Sequence, residues 1–342
     1  MSKADIRTAL LAYGAIGDEH NAALLATKGM VLSAVCDTNP ERVKAALKMA
    51  PNARGFDDAQ TMLDSGDIDL VVVSTPPNTH FYWAKQALTR GINVVLEKPM
   101  ALTTQECDEL MAIAEESNLL LVVYQNRRFD ADFVTIKSLI DSGEIGEVFH
   151  YESFVGGYSK PCSFWHSDIA VSGGAIFDWG SHFIDQILAV IHSPLQYVSG
   201  LNQKRVWDHV TNADHAQVTL TFTDGVQAIF TNSDLAAARK PKFFILGTKG
   251  SIVGEWDLSA GNSVADLPAK ISIHRADGKV EPIPLQSLKS YAFHESLVAR
   301  INEGTPMSVT STQSRDVVSI MQAAEESALK NGLPVVPNLL RS

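Results

Sequence analysis

The sequence predicts a two-domain α/β protein: a doubly wound parallel sheet, then an α+β domain with a mainly antiparallel open sheet. Three observations predict it. The first third alternates short strands, apolar on both faces, with helical patterns, which argues a parallel sheet covered on both sides. A glycine-bearing turn joins the first strand to the first helix, where doubly wound sheets place theirs. Beyond residue 124 the apolar period changes to two, with turn residues between the runs. The 342 residues suffice for two ordinary cores.

The elements follow in order. Ile6 to Ala12 reads as a strand, Asp18 to Lys28 as a helix and Val31 to Cys36 as the next strand. Asn39 to Met49 is a helix with Pro40 at its first position. Leu70 to Ser74 is a strand, His80 to Arg90 a helix closed by Gly91, and Ile92 to Glu97 a strand. Thr104 to Ser117 is a helix capped by Thr103 or Thr104, and Leu119 to Tyr124 a strand. This predicts a first domain over 1–124 and a second over 125–342. In the second, Val134 to Ser142 reads as a helix ending at Gly143. His215 to Phe222 alternates most clearly; Val226 to Thr231, Phe243 to Leu246, Ser251 to Trp256 and Ile271 to His274 continue as strands. Helices at Tyr291 to Ile301 and Ser314 to Lys330 close the chain.

Composition excludes several function classes. The net charge of -11 repels nucleic-acid phosphates and anionic lipid, so neither is expected as a partner. Cys36, Cys107 and Cys162 are odd in number and widely spaced, which suits a reduced, cytoplasmic setting. The N-terminus reads as lacking a signal peptide, and no apolar run reaches membrane-spanning length.

The turn after the first strand is Ala12-Tyr13-Gly14-Ala15-Ile16-Gly17. Gly14 and Gly17 occupy the second and third positions of the Gly-x-Gly-x-x-Gly fingerprint for a dinucleotide. Gly14 lets backbone approach a pyrophosphate, and Gly17 lets helix and strand pack closely. Ala12 holds the first position and is tolerable if its φ stays negative. Asp37 ends the second strand about 20 residues after Gly17, the spacing of a carboxylate that bonds the adenosine ribose. It also repels a 2′-phosphate, and neither Thr38 nor Asn39 is a cation, so NAD is expected over NADP. Ser74 to His80, with Thr75, Pro76, Pro77 and Asn78, makes a stiff loop that suits a crevice wall. It equally suits a plain strand-to-helix connection capped by Asn78 or Thr79, with His80 in the first turn.

Lys98 should stand at a strand's carboxyl end, the edge that faces the ligand crevice. It is a cation aimed into a cleft or a solvated strand-end lysine; Glu97 is its partner or a structural carboxylate. Downstream, Asp178, His182 and Asp185 fall at i, i+4 and i+7, so they share one helix face among apolar neighbours. Such a stripe is costly to bury unless its groups serve one another or a ligand. A carboxylate four residues from a histidine can fix its tautomer and leave the other nitrogen for proton transfer. The same spacing can hold zinc, but a third ligand is not evident in the sequence.

Glu97-Lys98-Pro99, together with Ser172-Gly173-Gly174-Ala175-Ile176-Phe177-Asp178-Trp179-Gly180-Ser181-His182-Phe183-Ile184-Asp185, resembles the signatures of the Gfo/Idh/MocA oxidoreductase family. Gly143-Glu144-Ile145-Gly146, Asp214-His215-Ala216 and Gly247-Thr248-Lys249-Gly250-Ser251 extend the resemblance along essentially the whole chain. It implies a nicotinamide-dependent dehydrogenase acting on a sugar, inositol or related polyol. Lys98 would bond the reacting hydroxyl, His182 would be the acid/base with Asp178 beside it, and Asp185 would be structural. The implied cofactor contacts are Gly14, Ala15, Ile16, Gly17, Asp37, Thr75, Pro76, Asn78, His80, Glu97, Lys98 and Asn126. The implied substrate contacts are Lys98, Arg127, Trp165, His166, Asp178 and His182. Arg127 and Arg128 read equally as structural ion-pair partners. Trp165-His166 stands where many relatives carry Trp-Arg, and Ala175 stands where they carry a third glycine. Relatives commonly associate through the second domain's sheet, so a homodimer or homotetramer is expected. Two other readings use the same residues: a non-catalytic dinucleotide- or sugar-binding regulator, and an enzyme that keeps tightly bound NAD within its cycle.

Overall fold

A computed structural model describes residues 5–256, 268–287 and 289–340. Its backbone forms two compact units, Met1–Gln125 with Lys289–Arg315, and Asn126–Leu288 with Asp316–Ser342.

In the first unit, β1 (Ile6–Leu11), β2 (Met30–Cys36), β3 (Arg54–Phe56), β4 (Leu70–Val73), β5 (Asn93–Leu96) and β6 (Leu121–Val123) make one sheet. Its order is β3-β2-β1-β4-β5-β6, and the pairs are parallel. That is the doubly wound order, with the switch point between β1 and β4, where such sheets bind ligands. Leu70 to Val73 are at most 1% exposed, as strands covered on both faces must be. Helices α1 (Gly17–Ala26), α2 (Pro40–Met49), α3 (Ala59–Leu63), α4 (His80–Leu88) and α5 (Thr104–Glu116) connect the strands. Asn39 caps α2 ahead of Pro40. Thr103 caps α5 in a reciprocal box with Glu106.

In the second unit, α6 (Ala131–Asp141) precedes β7 (Val148–Gly156), and α7 (Ile169–Ser172) leads into α8 (Ala175–Val190). Then come β8 (Leu195–Gln203), β9 (His215–Phe222), β10 (Gln227–Ser233), β11 (Phe243–Gly247), β12 (Gly250–Glu255), β13 (Lys270–Arg275) and β14 (Val280–Ile283). The eight-stranded order is β14-β13-β12-β11-β7-β10-β9-β8. It is antiparallel except for β7 against β10. Ala216, Val218, Leu220 and Phe222 are buried, as their alternation requires. Helix α8 lies on that face, where the Phe183 and Phe230 rings stack at 5.4 Å. Two helices end the chain, α9 (Ala292–Glu303) and α10 (Ser311–Leu329).

A single boundary after residue 124 is therefore not how the chain divides: residues 289–315 group with the first unit. Packing explains it, since Phe293 and His294 of α9 are buried against Tyr124 and His20. The sequence pattern gives no expectation of strands β3, β7, β8 and β14 or of helices α3 and α7. β3 has three residues, and β7 and β8 mix apolar and polar positions without strict alternation. Among the described residues no helix is long and apolar enough to cross a membrane.

Candidate active site

The loop from β1 to α1 is set by backbone bonds. Ala12 N–H donates to Cys36 O, and the Ser74 hydroxyl donates to Ala12 O at 2.9 Å. These bonds hold Ala12 at φ +71°, not the negative φ expected of alanine at this place. A non-glycine residue there costs about 1–3 kcal/mol, which the surrounding bonds must offset. The two glycines have different tasks. A Cβ on Gly14 would meet nothing within 4 Å, so the space before it is open to a ligand. A Cβ on Gly17 would stand 2.9 Å from the Tyr13 ring, so Gly17 serves close packing. Ile16, at the cap position of α1, offers no side-chain cap, unlike the caps of α2 and α5, and the helix's first amides suit an anionic group. The first-turn carboxylates turn away from that role: Asp18 accepts from Tyr13 Oη at 2.6 Å and Glu19 from Tyr124 Oη at 2.7 Å. An open Gly14 and an uncapped helix start fit a dinucleotide pyrophosphate.

Asp37 is buried where β2 ends. Its oxygens accept from Tyr13 N and Asn39 N, both at 2.8 Å. The carboxylate thereby braces the glycine loop and the start of α2. A cation does face it, contrary to expectation: the Arg42 guanidinium lies 3.6 Å away. Arg42 is five residues on, where the first turn of α2 brings its side chain back over the strand end.

In the loop after β4, Thr79 is not a side-chain cap. Its hydroxyl donates within the loop, to Pro76 O at 2.7 Å, and bonds Thr75 Oγ1 at 2.8 Å. Asn78 is exposed, and Thr75 and Pro76 are half-buried. His80, expected as a cofactor contact, is fully buried instead, with Nδ1 2.8 Å from Pro99 O and Nε2 2.8 Å from Thr75 O. The ring thus stands between this loop and the turn after β5; burial lowers its pKa against the raising effect of the two carbonyls, and a neutral ring can donate to only one of them.

That turn is Glu97-Lys98-Pro99, with the Lys98–Pro99 peptide cis. Glu97 has a definite partner, the buried His20 of α1: Nε2 and Oε1 are 2.8 Å apart. The other carboxylate oxygen accepts from Lys98 N at 3.2 Å. His20 is a site residue that sequence spacing does not reveal, because 77 positions separate it from Glu97.

In the second unit, α8 carries Asp178, His182 and Asp185 on one face, as expected. His182 and Asp185 are buried and Asp178 is half-buried. Asp185 is structural: Arg128 grips both its oxygens through Nε and Nη2. Arg127 pairs with Asp130 at 3.3 Å, and its guanidinium lies 5.5 Å from the Trp179 ring centroid. Asn126 opens the short 3-10 turn carrying both arginines. Arg127, Asp130, Trp179, His182, Phe183, Gln186 and Lys242 line a recess of about 10 Å³, room for roughly one water. Burial pushes the Asp130 carboxyl up to about 6, against the lowering effect of Arg127. Lys242, a lysine that strand patterning gave no reason to single out, is buried on Asp132 at 2.7 Å. Trp165 stacks on His166 at 3.6 Å in the turn before α7. Among the described residues, no group of three histidine, cysteine or acidic side chains is placed to hold a metal ion.

Residues 6–125 match an oxidoreductase family described as an NAD-binding Rossmann fold, and residues 133–253 match the GFO/IDH/MocA C-terminal domain. The scyllo-inositol 2-dehydrogenase (NADP(+)) IolW of Bacillus subtilis is 29% identical over 341 residues, covering 94% of each chain. The uncharacterized oxidoreductase YdgJ of Escherichia coli is 31% identical over 251 residues, covering 73% of this chain and 71% of its own. A crystal structure of an NAD-binding protein from Listeria innocua superposes with a TM-score of 0.85 at 26% identity, covering 97% of each chain.

Proposed function

The chain belongs to the Gfo/Idh/MocA oxidoreductase family, and from that premise we propose an NAD-dependent dehydrogenase acting on a secondary hydroxyl of a sugar, inositol or related polyol. At the coarser level the protein is an NAD(P)-dependent dehydrogenase of CH–OH groups, of the sugar or inositol type. The observation that carries the finer reading is helix α8, which sets a buried His182 and a half-buried Asp178 one turn apart.

A bound nicotinamide would supply the hydride acceptor for the carbinol carbon. Gly14, Ala15, Ile16 and Gly17 would hold the pyrophosphate and Asp37 the adenosine ribose. Thr75, Pro76 and Asn78 would wall the crevice, and Asn126 would line the nicotinamide pocket. His182 takes the hydroxyl proton, with Asp178 orienting the imidazole. The Lys98 ammonium holds the same oxygen and stabilises its developing negative charge. In the reverse direction His182 returns the proton to a ketone oxygen. Arg127, Trp165 and His166 shape the substrate's surroundings. The cysteine pattern supports a cytoplasmic setting, and the second unit's sheet a homo-oligomer.

The test is absorbance at the NADH band with NAD and NADP against a panel of polyols, sugars and sugar acids. The expected result is NADH formed in step with ketone product. Cofactor retained in the protein, with net redox-neutral conversion of substrate, would instead place NAD within a closed cycle.

A further inference from the structure

We propose that His20 is a positioning residue for Lys98, acting through the carboxylate of Glu97. The inference rests on the reading of Lys98 as the group that holds the reacting oxygen.

His20 is fully buried on α1. Its ring packs against Tyr124 at 4.7 Å between centroids and edge-on to His294 at 5.8 Å. Among the described residues the His20 Nδ1 has no hydrogen-bond partner, and its polar contact is Nε2 with Glu97 Oε1 at 2.8 Å. Glu97 Oε2 accepts in turn from the backbone N–H of Lys98 at 3.2 Å. One carboxylate thus joins a fixed imidazole to the peptide on which Lys98 is mounted. Both ends of the link are anchored, His20 in a helix and Glu97 directly after β5. On the far side of the turn, His80 holds Pro99 O at 2.8 Å.

The physical argument concerns cost and return. Burying an imidazole with one ring nitrogen unmatched is unfavourable. A leucine at this core position would avoid that cost. What the imidazole provides, and an apolar residue does not, is a donor that fixes the rotamer of Glu97. With Glu97 fixed, the peptide plane of Lys98 is fixed, and so is the direction in which its side chain leaves the strand end. Displacing a reacting group by about 1 Å can cost roughly 100-fold in rate. His294, the nearest other titratable ring, is held down to about 3 by burial and by His20, so it stays neutral and does not compete for Glu97. Glu19, the neighbouring acidic side chain on α1, is engaged by Tyr124 Oη.

The experiment compares kcat, NADH affinity by fluorescence and thermal unfolding for Lys98→Ala, His20→Ala, His20→Gln and the double variant. His20→Ala is expected to lower kcat by about 10- to 100-fold and to leave NADH affinity within about two-fold, about 0.4 kcal/mol. His20→Gln, whose amide can donate to Glu97, is expected to recover most of that loss. In the Lys98→Ala background, removing His20 is expected to cost no further rate. Parent-level kcat in His20→Ala, or the same fold loss with and without Lys98, would overturn the proposal, because a merely structural defect acts in both backgrounds. If His20→Ala does not fold, Glu97→Gln carries the test. It keeps the side chain's shape but turns an amide donor toward either His20 Nε2 or the Lys98 N–H, and parent-level kcat there overturns the proposal equally. Parent-level turnover in Lys98→Ala alone is a separate result: it removes the reading of Lys98 on which the inference rests.

Discussion

The carboxylate of Asp37 and the guanidinium of Arg42 face each other at 3.6 Å where β2 meets α2. If Asp37 bonds the adenosine ribose, as proposed, the pair sets the charge where NAD and NADP differ. With Asp37 ionised, Arg42 is neutralised by it, and a 2′-phosphate meets no net positive charge. The expectation is NAD preference. Asp37→Asn keeps an acceptor for the loop amides but removes the charge, so Arg42 becomes available to a phosphate without any added cation. The ratio of NADP to NAD affinity should then rise by about ten-fold or more, which is about 1.4 kcal/mol. Fluorescence titrations with NADH and NADPH check it, and an unchanged ratio would detach Arg42 from cofactor choice.

Gly14 and Gly17 should fail in different ways. Gly14→Val adds atoms to open space, so melting temperature should hold while NADH binding weakens by about ten-fold or more. Gly17→Ala drives a methyl to 2.9 Å from a Tyr13 ring that Asp18 and Asn21 hold in place. It should cost about 1–3 kcal/mol of stability. The two variants, measured for both melting and NADH affinity, should fall in opposite quadrants.

Glu325 of α10 should make stability fall as pH rises through neutrality. Asn202 donates to one of its oxygens at 2.6 Å, and burial raises the carboxyl to about 7 from 4.5. A carboxyl raised in the folded state binds its proton more tightly there than in the unfolded chain. Its contribution is complete below about pH 4.5 and is lost as pH rises through about 7. Denaturant unfolding between pH 5 and 8 should show the parent losing on the order of 1–3 kcal/mol relative to Glu325→Gln. Parallel stability profiles would exclude the effect.

Part of this arrangement is legible in the sequence and part is not. Local chemistry is legible: the apolar strands of the first unit, the Thr103 box and the stripe of Asp178, His182 and Asp185 follow from spacing alone. Relations that depend on how a turn or a distant segment returns are not. Arg42 reaches Asp37 only because α2 curls back after Pro40. His20 reaches Glu97 across the sheet's connection order. Residues 289–315 join the first unit through Phe293 and His294, whose contacts with Tyr124 and His20 leave no mark on local periodicity. Ala12 adopts φ +71° because neighbouring strands hold its backbone, against the residue's own preference.

The second unit's sheet should bring copies of the chain together. Strand register puts Leu201, Gln217, Ile229 and Phe244 on the face opposite the buried Val218 and Phe230. Leu201 is 39% exposed there, and Ile229 and Phe244 are half-buried. Such a face is a plausible partner surface. Sedimentation at micromolar concentration should give a dimer or tetramer; a mass near 37.1 kDa, unchanged on adding NAD, would mean that water covers the face.

The most direct test of the account is the turnover of Lys98→Ala and His182→Ala on the best substrate of the polyol panel, measured beside NADH affinity. One well-placed acid/base group contributes about 10²- to 10⁴-fold. The account predicts losses of that size in both variants, with NADH affinity close to the parent's. Near-parent turnover in either variant would contradict it and remove that residue from the chemistry.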